Sequence, residues 1–195
     1  MVASSHCRTQ TDITCTATEA GVRQKKGESA LNFDGLIEVL KIDDGSLPDI
    51  WLKDLSDVEV IHGYKYLRDN SERISSKDSS YWSPVLEKEV SFSLTDNPAE
   101  KVVSGEADSF HLCFDGVFST KGFSIPELGL YVAPDTLALN YRMGPEWTCE
   151  AIAGLFELIQ GMALENQTLT LEHTGNINDI DGSILLSYWS EFKNA

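Results

Sequence analysis

Histidine and cysteine side chains that alternate along one predicted strand are the residues of this chain best suited to do chemistry. From Phe110 to Phe114 apolar side chains recur at every second position, with His111 and Cys113 between them. This alternation predicts a strand whose His111 and Cys113 project from the face opposite the core. A thiol and an imidazole supply a nucleophile and a base, so these two, with His62 of another predicted strand, form a candidate catalytic group.

The spacing of His111 and Cys113 weakens this catalytic interpretation. Side chains two residues apart on one strand stand about 7 Å apart, which is long for direct proton transfer. The sequence has no phosphate-binding glycine loop, no HExxH and no GxSxG. The polar stretch 176–182 resembles a cation loop but places Ile180 where an oxygen ligand is needed. The sequence therefore predicts neither a metal site nor a cofactor.

The charge of the chain favours a binding function. The formal net charge is −16, from 31 acidic and 15 basic residues. The stretch 143–192 has no lysine or arginine but carries eight carboxylates. Such a field repels nucleic acid and anionic lipid and attracts basic proteins. We therefore expect a basic protein partner and neither a nucleic-acid nor a membrane partner, with ordinary solubility as the alternative explanation of the charge.

The candidate binding residues are aromatic side chains that would anchor a partner and carboxylates that would attract it. The aromatic candidates are Trp51, Tyr81, Trp82 and Trp189, and the charged ones are Glu150, Glu157, Asp179 and Asp181. Arg142 and Trp147 are added because they stand where a predicted strand meets a predicted helix. The alternative for this pair is that Arg142 binds a nearby carboxylate and Trp147 packs under the helix.

These residues need elements to position them, and the clearest is an amphipathic helix over about 145–163. Its apolar side chains recur at helical spacing, and Pro145 suits the first helical position. Gly154 and Gly161 each cost about 1 kcal/mol of helix stability relative to alanine. We therefore expect another element to pack closely against these glycines.

The remaining patterns predict a mostly antiparallel sheet of five to seven strands. The predicted strands are 58–67, 89–95, 110–114 with a hairpin at Asp115-Gly116, 128–132, 137–141 and 168–171. Segments 31–42 and 47–52 predict short N-terminal helices, 68–80 predicts a loop, and 184–192 fits a helix or a strand. The expected class is α+β, with the long helix packed on one face of the sheet.

The organisation of the chain is predicted to be a polar N-terminal extension followed by one domain. Residues 1–29 have few large apolar side chains, and residues 30–195 hold the predicted elements. The N-terminal residues lack the apolar run of a signal peptide, and no stretch reaches the length of a membrane span, so we expect a cytoplasmic protein. The four cysteines have no CxxC spacing and are expected to be free thiols.

The sequence leaves three functions open. The first is an acidic protein-binding module, of the kind that inhibitors and toxin-immunity proteins represent, which masks a basic partner. The second is an enzyme with a site on the sheet face built from His111, Cys113 and His62. The third is a structural domain that forms homo-oligomers.

Overall fold

The structure is a computed structural model that describes residues 32–164, 166, 168–174 and 180–194. The helices are α1 (Asp34–Leu40), α2 (Asp57–Asp69), α3 (Ala99–Val103), α4 (Cys149–Met162) and α5 (Ile180–Lys193). The strands are β1 (Asp49–Leu52), β2 (Ser71–Ile74), β3 (Ser80–Ser83), β4 (Lys88–Ser91), β5 (Phe110–Phe118), β6 (Ser124–Ile125), β7 (Leu128–Ala133), β8 (Thr136–Tyr141) and β9 (Leu171–Thr174). The predicted extension over residues 1–29 lies outside the described residues.

The strands form one large antiparallel sheet and one small hairpin. The large sheet has seven strands in the order β2-β5-β7-β8-β1-β9, with β6 paired to β5. Strands β3 and β4 pair only with each other. All of the pairings are antiparallel. The predicted α+β class with a mostly antiparallel sheet is therefore confirmed.

One face of the large sheet carries the hydrophobic core. Ile50, Leu112, Leu130 and Leu139 project from four neighbouring strands and are completely buried. Helices α2 and α4 contact each other, and α2 also contacts β7 and β8. Three helices, α2, α4 and α5, have 13 or 14 residues, so the expectation of a single long helix is corrected. None of the described helices is long and apolar enough to cross a bilayer.

The central helix begins later than the sequence pattern predicts. Thr148 is its N-cap and accepts a hydrogen bond from the Ala151 amide at 3.2 Å, so α4 starts at Cys149 and not at Pro145. The residues before it form a turn in which the Trp147 indole donates to the Arg142 carbonyl at 2.8 Å. The hydroxyl cap satisfies an amide that would otherwise lack a partner, which explains the position of the start.

The segment 58–67 is a helix, and the prediction of a strand there is wrong. Ser56 and Glu59 form a reciprocal capping box in which each side chain accepts from the other residue's backbone amide. Buried side chains then follow at helical spacing, at Val60, Tyr64 and Leu67. The Ser-x-x-Glu pattern that starts this helix is visible in the sequence and outweighs the β-branched composition.

Other boundaries differ because strand pairing involves residues far apart in the chain. The predicted helix over 47–52 is strand β1, which lies between β8 and β9. The predicted loop 68–80 contains β2, a polar edge strand on β5. Strand β5 continues through Asp115-Gly116, where a hairpin is predicted, and turns back only after Ser119. The hairpin between β7 and β8 is confirmed, and 184–192 is part of helix α5.

The glycines of the long helices are sites of close packing, as expected. An added Cβ at Gly154 would lie 3.1 Å from the Phe123 Cβ, and one at Gly161 would overlap the Tyr66 ring. On α2, an added Cβ at Gly63 would overlap a Leu137 methyl group. These contacts compensate for the low helix propensity of glycine.

The cysteines differ from the expectation of free thiols at one position. Cys113 on β5 is free. Cys149, the first residue of α4, is half-buried and disulfide-bonded. The expectation is therefore wrong for Cys149.

We predict that Gly63→Ala destabilises the protein although alanine is the better helix former. The new methyl group meets Leu137 on one side and approaches the Met162 carbonyl oxygen to 3.2 Å on the other. Overpacking of this kind costs about 1–3 kcal/mol and outweighs the gain in helix propensity of about 1 kcal/mol. Chemical denaturation measures the change, with the exposed Val58→Ala of the same helix as a near-neutral control. Equal or higher stability of Gly63→Ala would contradict the close contact.

We predict that Ser56→Ala costs about 1 kcal/mol of unfolding free energy through the loss of the helix cap. The partner carboxylate also makes this cap depend on pH. Hydrogen bonds from the Ser56 side chain and backbone, and from Asn166, lower the pKa of Glu59. Because the pKa of Glu59 is lower in the folded state than in the unfolded state, the ionised carboxylate stabilises the folded protein at pH values above the unfolded-state pKa. This contribution is lost as the pH falls through the folded-state pKa. The stability difference between wild type and Glu59→Gln should therefore shrink at acidic pH, as urea titrations at neutral and acidic pH would show.

Candidate functional site

The face of the large sheet opposite the core carries two rows of side chains that cross five strands. We call it the uncovered face, because most of its side chains are half-buried or exposed. Strand register places the first row as His111, Tyr131, Ala138, Trp51 and Glu172. The second row is Cys113, Gly129, Asn140, Asp49 and Thr174. Residues of four distant chain segments therefore meet here.

A groove runs along β8 on the uncovered face. Its volume is about 450 Å³, and its lining residues are Asp49, Trp51, His111, Tyr131, Ala133, Thr136, Ala138 and Asn140. Strand β8 contributes Thr136, Ala138 and Asn140 to the floor, while β1 lies on one side and β7 and β5 on the other. Ala138 is the small residue between Trp51 and Tyr131 in the same row, which allows their rings to approach each other. We call this site the β8 groove.

Two aromatic rings flank the middle of the β8 groove. The ring centroids of Trp51 and Tyr131 are 6.2 Å apart, on either side of Ala138. The Trp51 indole nitrogen donates to the Thr174 hydroxyl at 3.0 Å, which orients the indole. The Lys53 ammonium lies 5.7 Å from the Trp51 ring centroid and forms an ion pair with Glu172 on β9. The indole therefore already interacts with a cation at the β9 side of β1.

His111 and Asn140 meet above a glycine. The Asn140 Nδ2 lies 2.6 Å from the His111 Nε2, within hydrogen-bond distance. An added Cβ at Gly129 would lie 2.6 Å from both the His111 Nε2 and the Asn140 Cγ. The absence of a side chain at Gly129 is therefore what allows the two polar side chains to meet.

Hydrogen-bond acceptors lie beside the aromatic rings. Asp49 is paired in register with Asn140, which places their side chains next to each other on the same face. The Asp49 carboxylate accepts a long hydrogen bond of 3.3 Å from the Thr174 hydroxyl. Within the described residues it forms no ion pair. The β8 groove therefore contains a carboxylate that lacks a cationic partner there.

The candidate catalytic residues do not converge on one point. His111 and Cys113 project from the uncovered face, as their alternation predicts. His62 is on α2, where its Nε2 lies 3.0 Å from the Gly161 carbonyl oxygen of α4, on the core side of the sheet. Burial raises the pKa of the Cys113 thiol, the Ser76 hydroxyl partly opposes this, and Glu127 raises the pKa further. A raised pKa disfavours the thiolate form in which a cysteine acts as a nucleophile.

The aromatic candidates divide into buried and accessible side chains. Trp147 is 1% exposed and Trp189 is 4% exposed, so both are part of the core and do not reach the surface. Tyr81 stacks on Phe92 at a centroid distance of 6.0 Å. Trp82 is 43% exposed on the β3–β4 hairpin. Of these four, only Trp82 is exposed, and it does not line the β8 groove.

The charged candidates that the structure describes lie on more than one element, and two of them form ion pairs. Arg142 forms an ion pair with Asp43 at 2.8 Å, and this contact lowers the pKa of the Asp43 carboxyl. The carboxylate that pairs with Arg142 therefore belongs to a residue that is distant in sequence. Glu157 forms an ion pair with Lys121 at 2.7 Å. Glu150 is exposed in the first turn of α4, and Asp181 is half-buried in the first turn of α5. Asp179 lies outside the described residues.

Three residues of the β8 groove are missed by reasoning from the sequence, namely Asp49, Tyr131 and Asn140. For Tyr131 on β7 and Asn140 on β8 a local signal exists. Apolar residues occupy every second position of these strands, and the alternation predicts that Tyr131 and Asn140 face away from the core. Strand β1 has no such signal because its segment resembles a short helix. No local pattern shows that Asp49 and Asn140 are neighbours, since 91 residues separate them in the chain.

The fold and the site together define an α+β protein with a one-sided antiparallel sheet and a polar, aromatic groove on its uncovered face. Within the described part of the chain, no group of three or more His, Cys, Asp or Glu side chains is arranged to hold a metal ion. Comparisons with protein-family models, curated proteins and solved structures give no match. The function is therefore argued from the groove itself.

We predict that Gly129→Ala disrupts the His111–Asn140 hydrogen bond without a large loss of stability. The atoms that the new methyl group meets are the ends of two side chains, which are free to rotate away toward solvent. We expect a change in unfolding free energy of at most about 1 kcal/mol, together with large shifts of the His111 ring and Asn140 amide NMR signals. In a His111→Ala background the same substitution should shift the Asn140 signal much less, and an equal shift in both backgrounds would contradict the proposed contact.

Proposed function

We propose that the protein is a binding protein that docks a basic partner protein on the uncovered face of its sheet, with the β8 groove at the centre of the interface. The observation that supports the proposal most is the position of Asp49, a carboxylate without an ion pair among the described residues, beside the accessible aromatic rings of Trp51 and Tyr131. Aromatic anchors next to a carboxylate provide both the apolar contact and the charge that an interface of this kind needs.

The charge of the whole chain supports the same partner. The described residues carry 26 acidic and 11 basic side chains, so the field around the molecule is negative even where the carboxylates are dispersed. This field would accelerate the encounter with a positively charged protein and would repel nucleic acid and anionic lipid. An inhibitor or an immunity protein that masks the basic active surface of an enzyme would act in this manner.

The β3–β4 hairpin is the second surface on which a partner could dock. Trp82, Val85 and Leu86 are 43%, 69% and 58% exposed and are close in sequence around the hairpin turn. We place the centre of the interface at the β8 groove, because there the aromatic rings lie next to the Asp49 carboxylate. Trp82 is therefore the natural control for Trp51.

The enzyme hypothesis receives less support from the geometry. It requires His62, His111 and Cys113 to act together, and His62 contacts α4 on the core side of the sheet. A homo-oligomer remains compatible with the uncovered face, and would appear as a concentration-dependent mass. A cytoplasmic location is part of the proposal, although the disulfide at Cys149 is more typical of an oxidising compartment.

The proposal predicts that capture of a basic partner depends on the β8 groove and on salt. The immobilised full chain would be exposed to lysate of the source organism at low and high salt, and the partner identified by mass spectrometry would be purified for calorimetry. Asp49→Asn and Trp51→Ala should each weaken its binding by at least about tenfold, as interface hot spots do. Trp82→Ala should leave the affinity nearly unchanged.

Two results would contradict this proposal. Loss of binding in Trp82→Ala, with full binding in Asp49→Asn and Trp51→Ala, would move the interface to the hairpin. An affinity that does not change with salt would remove the role of charge, because attraction between charged surfaces is screened by ions. Circular dichroism of each variant would verify that its fold is intact.

A further inference from the structure

We infer that the β8 groove is a receptor for one arginine side chain, which the partner inserts along β8. The inference rests on the proposed function and adds the chemical identity of the group that the groove recognises. It is carried by the position of two hydrogen-bond acceptors, Asp49 and Asn140, next to two aromatic rings, Trp51 and Tyr131.

The acceptors leave lone pairs that need a donor. The Asp49 carboxylate accepts one long hydrogen bond, from the Thr174 hydroxyl, and no cation among the described residues binds it. The Asn140 Nδ2 is used by His111, and the Asn140 Oδ1 lies over Gly129, where no donor from the described residues bonds to it. Because Asp49 and Asn140 are register partners, their Cβ atoms stand about 5 Å apart. A ligand with several diverging N–H groups would satisfy both acceptors at once.

The aromatic rings favour a flat cation. Trp51 and Tyr131 belong to the row beside Asp49 and Asn140, at a spacing along the strands of about 7 Å. The two rings contact each other across Ala138, so an arginine side chain would lay its methylene groups along the outer surface of this ring pair while its guanidinium group reaches the acceptors. A guanidinium plane also stacks on aromatic rings, which an ammonium group does less well.

Arginine fits this arrangement better than lysine because of donor number and shape. A guanidinium group has five N–H donors in a planar fork and binds a carboxylate through two parallel hydrogen bonds. An ammonium group is a compact and strongly hydrated charge, and it would leave one of the two acceptors unsatisfied. The chain's own lysine at this site, Lys53, is held on the β9 side of β1 by Glu172 and forms no ion pair with Asp49.

The test titrates the ¹⁵N-labelled full chain with N-acetyl-arginine amide and records two-dimensional NMR spectra. The matched ligands are N-acetyl-lysine amide, which keeps the charge, and N-acetyl-citrulline amide, which keeps the shape but has no charge. We expect saturable shifts of the Trp51 indole, the Asn140 side-chain amide and the amides of residues 136–140. The dissociation constant should be about tenfold higher for the lysine ligand, and the citrulline ligand should produce no saturable shift.

Two variants and a matched control keep the test specific. Asp49→Asn replaces the carboxylate by an isosteric amide and should raise the dissociation constant of the arginine ligand by about tenfold. Trp51→Phe keeps an aromatic ring but removes the larger indole surface, and it should weaken binding of the arginine ligand severalfold. Trp82→Phe makes the same change outside the β8 groove and should leave the titration unchanged. Retained folding of each variant is read from its amide spectrum.

The outcomes separate this inference from the proposed function. Equal affinity for the arginine and lysine ligands would overturn the guanidinium preference, and so would unchanged arginine binding in Asp49→Asn. Absence of any saturable shift would also overturn the inference. If partner binding nevertheless depended on Asp49 and Trp51, the docking surface would stand and only its arginine selectivity would fail. If partner binding were also independent of both residues, the proposed function would fail with it.

Discussion

The register in which β1 is inserted between β8 and β9 is the constraint on which the β8 groove depends. It pairs Asp49 with Asn140 and Trp51 with Ala138, and it sends Ile50 and Leu52 into the core. Because side chains alternate between the two faces of a strand, a slip of one residue would bury Asp49 and Trp51 and expose Ile50 and Leu52. The hydrophobic effect therefore holds the groove in place, through residues that do not belong to it.

The helices determine which face of the sheet stays uncovered. The close contacts of Gly63, Gly154 and Gly161 bring α2, α4 and the sheet together on one side. The buried core there is one continuous cluster, and it includes Trp147 and Trp189. The opposite face is then left with small, polar and aromatic side chains, which is the composition of a recognition surface more than of a second core.

Local patterns predicted the parts of the fold that are formed by neighbouring residues. The β7–β8 hairpin, helix α1, the body of α4 and the outward orientation of His111 and Cys113 follow from alternation or helical spacing. The error at α2 has a local cause, since the Ser56–Glu59 capping box is present in the sequence and outweighs the β-branched composition. The errors at β1 and β2 have a different cause. These short segments become strands only because β8, β9 and β5 supply their hydrogen bonds.

By itself, the sequence determined the α+β class, the antiparallel sheet, the negative charge and the face on which His111 lies. The charge depends on composition alone. The other properties depend on residues a few positions apart, so the hydrophobic periodicity of the sequence predicts them. Only the tertiary structure decided that Asp49, Trp51, Tyr131 and Asn140 share one groove and that Trp147 and Trp189 are buried. Each of those facts depends on which strands become neighbours, and that choice is made by burial of the whole core, not by any single segment.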